Sequence, residues 1–239
     1  MTRVAVITDI HANLPALEAS LAWIDEHGIE DVYCGGDLVG YGPRPNEVCS
    51  VIADREIPTI YGNYDWAIAR DEEDCGCAYV DKHDREIGQL SVDWTLEHTK
   101  RRSKAFMREL PFDLHFELAG KRVWLVHGSP RKVNEYLFAD KPAKTFERIA
   151  AGAGCDVLVF GHTHQPWVGE YGGVVFVNCG SVGKPKDGDP RAGFAVLGEG
   201  DDGVAIETQR VEYPAEEVAA EMRRDGLPDE LAVKLVEAR

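Results

Sequence analysis

Short apolar runs alternate with longer segments of helical periodicity over the first 63 residues. Residues 3–10 are rich in Val and Ile, as a buried strand is, and residues 14–28 carry leucines at helical spacing with a proline near the start and a glycine at the end. The alternation continues with apolar runs at 31–37 and 57–63 on either side of a helical pattern at 45–56. This order of elements predicts a βαβαβ unit with parallel strands.

The remainder of the chain changes from helical to strand-rich patterning. Residues 66–110 contain an acidic loop and charged segments of helical character, which predict an inserted helical cap. A short helix is predicted near 143–151, a Gly-Asp-Asp-Gly turn at 200–203, and a charged surface helix from Pro214 onward. Six β-rich runs complete this part, at 113–118, 121–129, 155–164, 174–181, 193–198 and 204–213.

The length and composition of the chain are typical of a single soluble domain. One hydrophobic core is sufficient for 239 residues, so residues 1–239 are predicted to form one domain that includes the helical cap. No apolar run approaches the ~18 residues of a membrane span, and the run at 4–7 is too short for a signal peptide. The six cysteines are scattered, as in reduced intracellular proteins, so a cytoplasmic location is predicted.

The chain is strongly acidic. Its net charge of −16 results from 42 acidic and 26 basic residues. Such a charge repels polyanions, so duplex nucleic acid is disfavoured as a partner. The composition does not separate adaptation to a salty cytoplasm from ordinary solubility, and it does not indicate an oligomeric state.

Side chains that could bind a metal follow five of the apolar runs. Asp9 and His11 are two residues apart, so in extended backbone they point to the same face, and His162 and His164 repeat this spacing. Because the carboxyl ends of parallel strands meet at one edge of a sheet, these side chains are expected to converge. One such residue alone is more often a turn or capping residue, but the ordered set favours a metal site. The other members of the set are Asp37, Asn63 and His127.

The order D-x-H, G-D, G-N, a lone His and G-H-x-H resembles the calcineurin-like metallophosphoesterase family, over the chain from Asp9 to His164. The resemblance implies a four-layer α/β/β/α sandwich with two divalent ions. It implies that Asp37 bridges the ions, that one ion also takes Asp9, His11 and His164, and that the other takes Asn63, His127 and His162. Oxygen and imidazole donors without thiolate favour manganese, iron or zinc over calcium, and the choice among the three is left open.

The family resemblance also implies the reaction, which is hydrolysis of a phosphate ester. Two ions about 4 Å apart can hold a hydroxide between them and clamp the phosphoryl oxygens during in-line attack. The charge of the two ions exceeds that of their carboxylates and the hydroxide, so the site attracts a phosphate ester although the chain is acidic. Among the ligands, Asp37, Asn63 and His127 are therefore also predicted to be catalytic.

Tyr64 occupies the position after the Gly-Asn pair at which the family commonly has a histidine. Loss of a general acid lowers the rate by a factor of about 10² to 10⁴, and a phenol with a pKa near 10 is a poor proton donor at pH 7. All the implied metal ligands are present, so an active enzyme with an altered preference is predicted. Small bacterial and archaeal members that vary this position are associated with phosphodiesterase activity, which favours a small phosphodiester as substrate.

Substrate contacts and the competing functions depend on weaker signals. The alternatives are a phosphomonoesterase, a metal-stabilised binding scaffold like the retromer subunit of this fold, and a nuclease, which the charge disfavours. The Cys-Gly-Cys run at 75–77 could begin a thiolate site with His83, but its spacing favours free thiols. The predicted substrate contacts come from polar residues near the ligand motifs and a Gly-rich run at 178–193, and they are Asn13, Tyr41, Arg44, Lys184, Lys186 and Arg191.

Overall fold

The fold consists of two β-sheets that pack face to face, with helices on their outer surfaces. The computed structural model describes residues 2–78, 81–200 and 203–239. The strands are β1 (Arg3–Ile7), β2 (Asp31–Cys34), β3 (Asp113–Leu118), β4 (Lys121–Val126), β5 (Val157–Phe160), β6 (Trp167–Tyr171), β7 (Val174–Asn178), β8 (Ala192–Gly200) and β9 (Gly203–Val211). The helices are α1 (Leu14–Glu26), α2 (Pro45–Asp54), α3 (Asn63–Ala69), α4 (Lys82–His98), α5 (Arg101–Arg108), α6 (Ala143–Ala153), α7 (Ala215–Arg224) and α8 (Asp229–Glu237).

The first sheet has the strand order β2-β1-β8-β9 and the second has the order β3-β4-β5-β7-β6. In the first sheet β1 is parallel to β2 and antiparallel to β8, with Val6 opposite Tyr33 and Ala195. In the second sheet β4, β5 and β7 are parallel, and the edge strands β3 and β6 are antiparallel to their neighbours. The carboxyl ends of the parallel strands therefore lie at one edge of each sheet.

Alternation along β1 explains the layering. Val4 and Val6 face the second sheet and pack in a core that contains Leu125 and Val159, whereas Ile7 belongs to the core beneath the helices of the first layer. Each fully buried side chain of this kind contributes about 1.5–3 kcal/mol relative to an exposed one. Helix α6 covers the outer face of the second sheet with a core of its own. The predicted four-layer α/β/β/α architecture is confirmed.

The third predicted strand, at 57–63, is reduced to a single bridge between Cys34 and Thr59. Pro58 has no N–H group to donate to a ladder, and the chain turns into α3 at Asn63. The predicted βαβαβ unit therefore keeps two of its strands, and the third segment pairs with the sheet at one position only.

The predicted helical cap at 66–110 contains α4 and α5, although α3 already begins before its predicted boundary. Asn46 of α2 holds this segment: its side chain donates to the carbonyl of His98 at 2.9 Å and accepts from the N–H of Lys100 at 2.7 Å. Residues 79 and 80 of the segment, and residues 201 and 202 of the predicted Gly-Asp-Asp-Gly turn, lie outside the described residues. The division of the chain into one domain with an inserted cap stays a prediction.

The carboxyl-terminal segment forms two helices where one surface helix was predicted. Gly226 has φ +86°, and Pro228 precedes α8, so the helical pattern is interrupted between them. The two helices share an apolar core that includes Met222 and Leu235 and packs against Trp94 of α4. Within the described ranges, no helix combines the length and apolar character that crossing a membrane requires.

Candidate metal centre

Five of the predicted ligands have left-handed backbone conformations at the strand ends. Their φ angles are positive, at 52° for Asp9, 49° for His11, 53° for Asp37, 65° for His162 and 59° for His164. Non-glycine residues rarely adopt this region, and each such residue costs of order 1–3 kcal/mol that the surrounding fold must supply. The concentration of this strain at one place is typical of a functional site.

Asp9, His11 and His164 form the first buried group, with ligand atoms that all lie within 4.8 Å of one another. The Nε2 atoms of His11 and His164 are 3.1 Å apart, and His164 Nε2 is 3.2 Å from Asp9 Oδ1. The Nδ1 atoms donate to backbone carbonyls, of Val39 at 3.0 Å for His11 and of Lys184 at 2.5 Å for His164. These bonds leave both Nε2 lone pairs directed at the same point, as metal-binding histidines require.

Asp37, His127 and His162 form the second buried group on the same distance criterion. His127 Nδ1 donates to the carbonyl of Gly35 at 2.8 Å, and its Nε2 lies 3.4 Å from Asp37 Oδ2. The same Asp37 oxygen is 3.7 Å from Nε2 of His11 in the first group. Asp37 therefore lies between the two groups, where a bridging ligand would be.

Asn63 joins the second group through its side-chain oxygen, which is 3.2 Å from His127 Nε2. Its Nδ2 donates to the carbonyl of Cys75 at 3.0 Å and to Cys77 Sγ at 3.2 Å. Because the loop of Cys75 and Cys77 occupies the NH₂ group, the amide oxygen faces the cluster. Nothing in the sequence indicated this contact. Both cysteines are free, and the thiolate site with His83 does not form, since His83 pairs with Glu230 at 2.6 Å.

The donor atoms fit bound metal ions. Asp9 Oδ1 and His162 Nε2 are buried and have no hydrogen-bond partner among the described residues. His164 Nε2 lies 3.2 Å from Asp9 Oδ1 but presents a lone pair to it, because the proton of His164 is on Nδ1. Leaving a buried polar atom unsatisfied costs about 1–3 kcal/mol, so such atoms in a native fold call for a ligand. Carboxylate oxygen, amide oxygen and imidazole nitrogen together suit manganese, iron or zinc.

The histidines of the cluster differ in protonation state. Burial lowers the pKa of His11 and His162 well below the usual value, and it lowers the pKa of His164 to about 4. Burial also opposes the charge on His127, but the carboxylates of Asp37 and Asp9 outweigh it and raise the pKa of His127 to about 10. Three of the imidazoles are therefore neutral and ready to bind a cation near pH 7, whereas His127 must first lose a proton.

Asp65 is a part of the site that the sequence analysis missed. Its carboxylate accepts from the N–H of Leu38 at 2.8 Å and of Gly62 at 2.9 Å, so it joins the Asp37 loop to the start of α3. Burial, followed by the charge of Asp37, raises the pKa of Asp65 to about 7. The available signal was the acidic residue three positions after Gly62, the spacing at which a side chain reaches back to a helix start.

Tyr64 lies inside the protein beneath the cluster and is 1% exposed. Its N–H donates to Asp37 Oδ1 at 2.9 Å, and its ring centroid is 5.5 Å from that of His11. Gly40, at φ +92°, makes room for the ring, because a Cβ there would lie 2.3 Å from a ring carbon of Tyr64. The hydroxyl of Tyr64 interacts with the thiol of Cys75, whose pKa is lowered first by Cys77 and also by Tyr64. The predicted role of Tyr64 on the leaving-group side stays a prediction.

The predicted substrate contacts separate into two sets. Tyr41 and Lys186 lie beside the metal ligands, and Lys184 Nζ is 4.9 Å from the centroid of the Tyr41 ring. Arg44 and Arg191 are held elsewhere. Arg44 makes a two-pronged ion pair with Glu221 of α7, at 2.7 and 2.9 Å, and Arg191 pairs with Asp189 at 2.6 Å on an exposed loop.

Asn13 uses both ends of its amide within the fold. It accepts from the N–H of Ala16 at 3.2 Å at the start of α1, and it donates to the carbonyl of Gly183 at 2.9 Å. This is the arrangement of a helix N-cap.

Like Asp65, Tyr136 is a residue of the site that the sequence did not indicate. Its ring centroid is 4.0 Å from that of His162.

Comparisons with known proteins support the same assignment. An uncharacterised protein of Methanocaldococcus jannaschii is 32% identical over an alignment of 249 positions, which covers 97% of this chain and 96% of that protein. Phosphodiesterase YfcE of Escherichia coli is 26% identical over 197 residues, or 82% of this chain and 88% of the relative. The crystal structure of a metallophosphoesterase from Sphaerobacter thermophilus matches with a TM-score of 0.80 and 29% identity over 100% of this chain and 99% of the other.

A hypothetical protein from Pyrococcus horikoshii gives a TM-score of 0.85 at 25% identity, over 98% of each chain. The sequence profile of the calcineurin-like phosphoesterase superfamily domain matches residues 2–202. This match covers most of the chain and includes every residue of the two buried ligand groups. The chain therefore belongs to the calcineurin-like phosphoesterase superfamily.

Proposed function

We propose that this protein hydrolyses a small phosphodiester with two bound divalent transition-metal ions. The observation that carries the proposal is the convergence of two buried ligand groups in which Asp9 Oδ1 and His162 Nε2 lack hydrogen-bond partners among the described residues. The residues that would hold the ions are Asp9, His11, Asp37, Asn63, His127, His162 and His164.

The chain itself fixes the donor atoms. Thr8 Oγ1 donates to Asp9 Oδ2 at 2.8 Å, and the N–H of His162 donates to the same oxygen at 2.9 Å. Both bonds hold one oxygen of Asp9, so the other oxygen is directed into the cluster. Ions bound by these donors would supply Lewis-acid chemistry, by acidifying water and polarising phosphoryl oxygens.

Aromatic rings line the small cavity that contains the cluster. Tyr41, Tyr64 and Tyr136 line the small cavity that contains the ligands, together with Lys186. Such rings exclude water, and electrostatic interactions are stronger where water is excluded. Lys186 adds a positive charge that can orient a phosphate ester.

Two observations favour a diester over a monoester. Tyr64 replaces the histidine that is common in the family, which weakens proton donation to the leaving group, and the relative YfcE carries the name phosphodiesterase. The alternative is a phosphomonoesterase that uses the same ligands.

The test is turnover of bis(p-nitrophenyl) phosphate and p-nitrophenyl phosphate by protein loaded with manganese, iron or zinc. Metal-dependent release of nitrophenol with preference for the diester is expected, and it should disappear in Asp9→Asn but not in Asp31→Asn, which changes an exposed carboxylate at the start of β2. Faster release from the monoester would indicate the alternative. Absence of turnover in protein that holds its metals would indicate a binding scaffold.

A further inference from the structure

A larger cavity of about 480 Å³ adjoins the small cavity of the metal cluster. The two share four lining residues, which are Tyr41, Cys77, Tyr136 and Lys186. A cavity of this volume is within the range of small-molecule sites. A ligand held at the cluster could therefore extend past Lys186 into the larger cavity.

The charge of the larger cavity is opposite to that of the protein. Among its described lining residues four are basic and two are acidic, in a chain of net charge −16. The two acidic residues already have basic partners, because Lys234 pairs with Asp84 at 2.8 Å and with Glu230 at 2.7 Å, and His83 also pairs with Glu230. The remaining basic lining residue, Arg239, pairs with Glu237. The positive charge that remains facing the metal cluster comes from Lys184 and Lys186.

These two lysines lack carboxylate partners. Among the described residues, no carboxylate oxygen lies within 4.0 Å of the ammonium nitrogen of Lys184 or Lys186. Lys184 is 5% exposed, and its ammonium nitrogen lies over the Tyr41 ring, 4.9 Å from the ring centroid. Burial lowers the pKa of both lysines. Because burial disfavours their charged form, an anion bound beside the two lysines would stabilise both ammonium groups.

The backbone places Lys186 firmly beside the cluster. Its N–H donates to the carbonyl of His164 at 3.2 Å, and its own carbonyl accepts from Gln165 Nε2 at 3.0 Å. The N–H of Lys184 donates to Ser181 Oγ at 2.8 Å, and the carbonyl of Lys184 accepts from His164 Nδ1. Both lysines are thus attached to the loop that carries a predicted metal ligand, at a fixed position relative to it.

We propose that Lys184 and Lys186 bind a second phosphate group of the substrate, so that the preferred substrate is a phosphodiester carrying an additional phosphate monoester. The inference rests on the proposed function for the bond that is cleaved. A phosphate monoester carries a charge near −2 at pH 7 and has several acceptor oxygens. It can therefore pair with two ammonium groups at once, whereas a carboxylate carries only a single charge.

Binding provides a test that does not depend on turnover. Calorimetric titration of manganese-loaded protein should show that thymidine 3′,5′-bisphosphate binds at least about tenfold more tightly than either thymidine monophosphate. Lys186→Gln should reduce this preference to less than about threefold. Lys184→Met should do the same where thermal unfolding shows that the variant is folded. Lys121→Gln is the matched control, because Lys121 begins β4 at the end opposite His127, and it should keep the preference.

A second experiment measures turnover and compares the dinucleotide TpT with its 5′-phosphorylated form pTpT. The wild type should favour pTpT by about tenfold in kcat/KM, and the ratio should fall in Lys186→Gln but not in Lys121→Gln. Equal use of both dinucleotides with equal binding of the mono- and bisphosphates would overturn the inference and leave the diesterase intact. Lysine-dependent preference for the bisphosphate without any diester turnover would support the phosphate subsite and reject the proposed reaction.

Discussion

Asp37 occupies the point at which the two ligand groups meet, and several of its neighbours depend on it. One carboxylate oxygen lies within 3.7 Å of His11 Nε2 and 3.4 Å of His127 Nε2, and the other accepts the N–H of Tyr64. Burial raises the pKa of Asp37 in the absence of a cation. A carboxylate in this environment is costly unless a cation compensates it, so its charge and the binding of metal are coupled.

Replacing Asp37 by Asn should therefore remove more than one contact. We expect Asp37→Asn to lower the metal content below two ions per chain and to reduce turnover of bis(p-nitrophenyl) phosphate by a factor of about 10² or more. Asn13→Ala is the comparison variant. It removes the N-cap of α1, so it should cost about 1 kcal/mol of stability and keep its metals. Elemental analysis and thermal unfolding of both variants provide the test, and similar metal losses would argue against a bridging Asp37.

Tyr64 offers a second test at the level of a single side chain. If its hydroxyl acts on the leaving group, Tyr64→Phe should lower turnover about tenfold, the scale of one lost hydrogen bond, while metal content is unchanged. Tyr64→His introduces a group that titrates near neutrality and should gain most on alkyl esters, whose leaving groups need a proton. The comparison is turnover of aryl and alkyl phosphate diesters by wild type and both variants.

The buried position of Tyr64 provides the competing outcome. The interaction of its hydroxyl with the Cys75 thiol predicts that Tyr64→Phe loosens the loop that orients Asn63. Loss of metal in Tyr64→Phe, or an equal gain on both ester types in Tyr64→His, would show that the ring supports the ligands and does not act on the leaving group.

The strands and helices show which parts of this arrangement a sequence can reveal. The period-2 and period-3.6 patterns indicated most elements, and because ligands follow the strands directly, Asp9 and His164 could be placed at a common edge. Other features depend on contacts between distant segments. The pairing of β1 with β8 brings residue 3 opposite residue 198, and the Cys75 loop reaches Asn63 through side-chain contacts alone. Local patterns carry no information about such contacts, so they were not predicted.

Arg44 connects α2 to α7, and a substitution can distinguish this structural role from the predicted substrate contact. The ion pair with Glu221 connects the start of α2 to α7, with the Arg44 side chain 40% exposed. Arg44→Gln should therefore lower the melting temperature by about 2–4 °C, as expected for a loss of about 1 kcal/mol, and leave the KM for bis(p-nitrophenyl) phosphate unchanged. Lys141→Gln, a half-buried basic residue before α6, is the control. An increased KM without a change in melting temperature would favour the predicted substrate contact instead.

Considered as a unit, the protein combines an acidic chain with a buried centre that accepts cations. The ligand groups are buried almost completely, so their protonation depends on the fold and not on bulk solvent. In the metal-free state three histidines are neutral in the folded chain but become protonated near pH 6.5 when the chain unfolds. The folded state binds fewer protons, so these groups make stability fall as the pH decreases below about 6.5.

Two carboxylates act in the opposite direction. Burial raises the pKa of both Asp37 and Asp65, so the folded state binds protons there that the unfolded state releases, and stability rises as the pH decreases. His127 is protonated in both states below pH 6.5 and contributes no slope in that range. The dependence of the free energy of unfolding on pH is therefore the sum of opposing contributions. A substitution that removes one residue isolates the contribution of that residue, whose sign can be predicted.

His164 provides that contribution, because its pKa is about 4 in the folded chain against an ordinary value of 6.5. Chelator-treated wild type should lose more free energy of unfolding between pH 6.5 and pH 4 than chelator-treated His164→Asn does, as measured by urea unfolding at fixed ionic strength. His115→Asn, which changes an exposed imidazole on β3, should follow the wild type. Saturation with manganese should raise the stability of the wild type and make it more dependent on pH, because protons then compete with the ion for the same nitrogens. Identical pH profiles for metal-free wild type and His164→Asn would show that this imidazole is not held neutral by the fold.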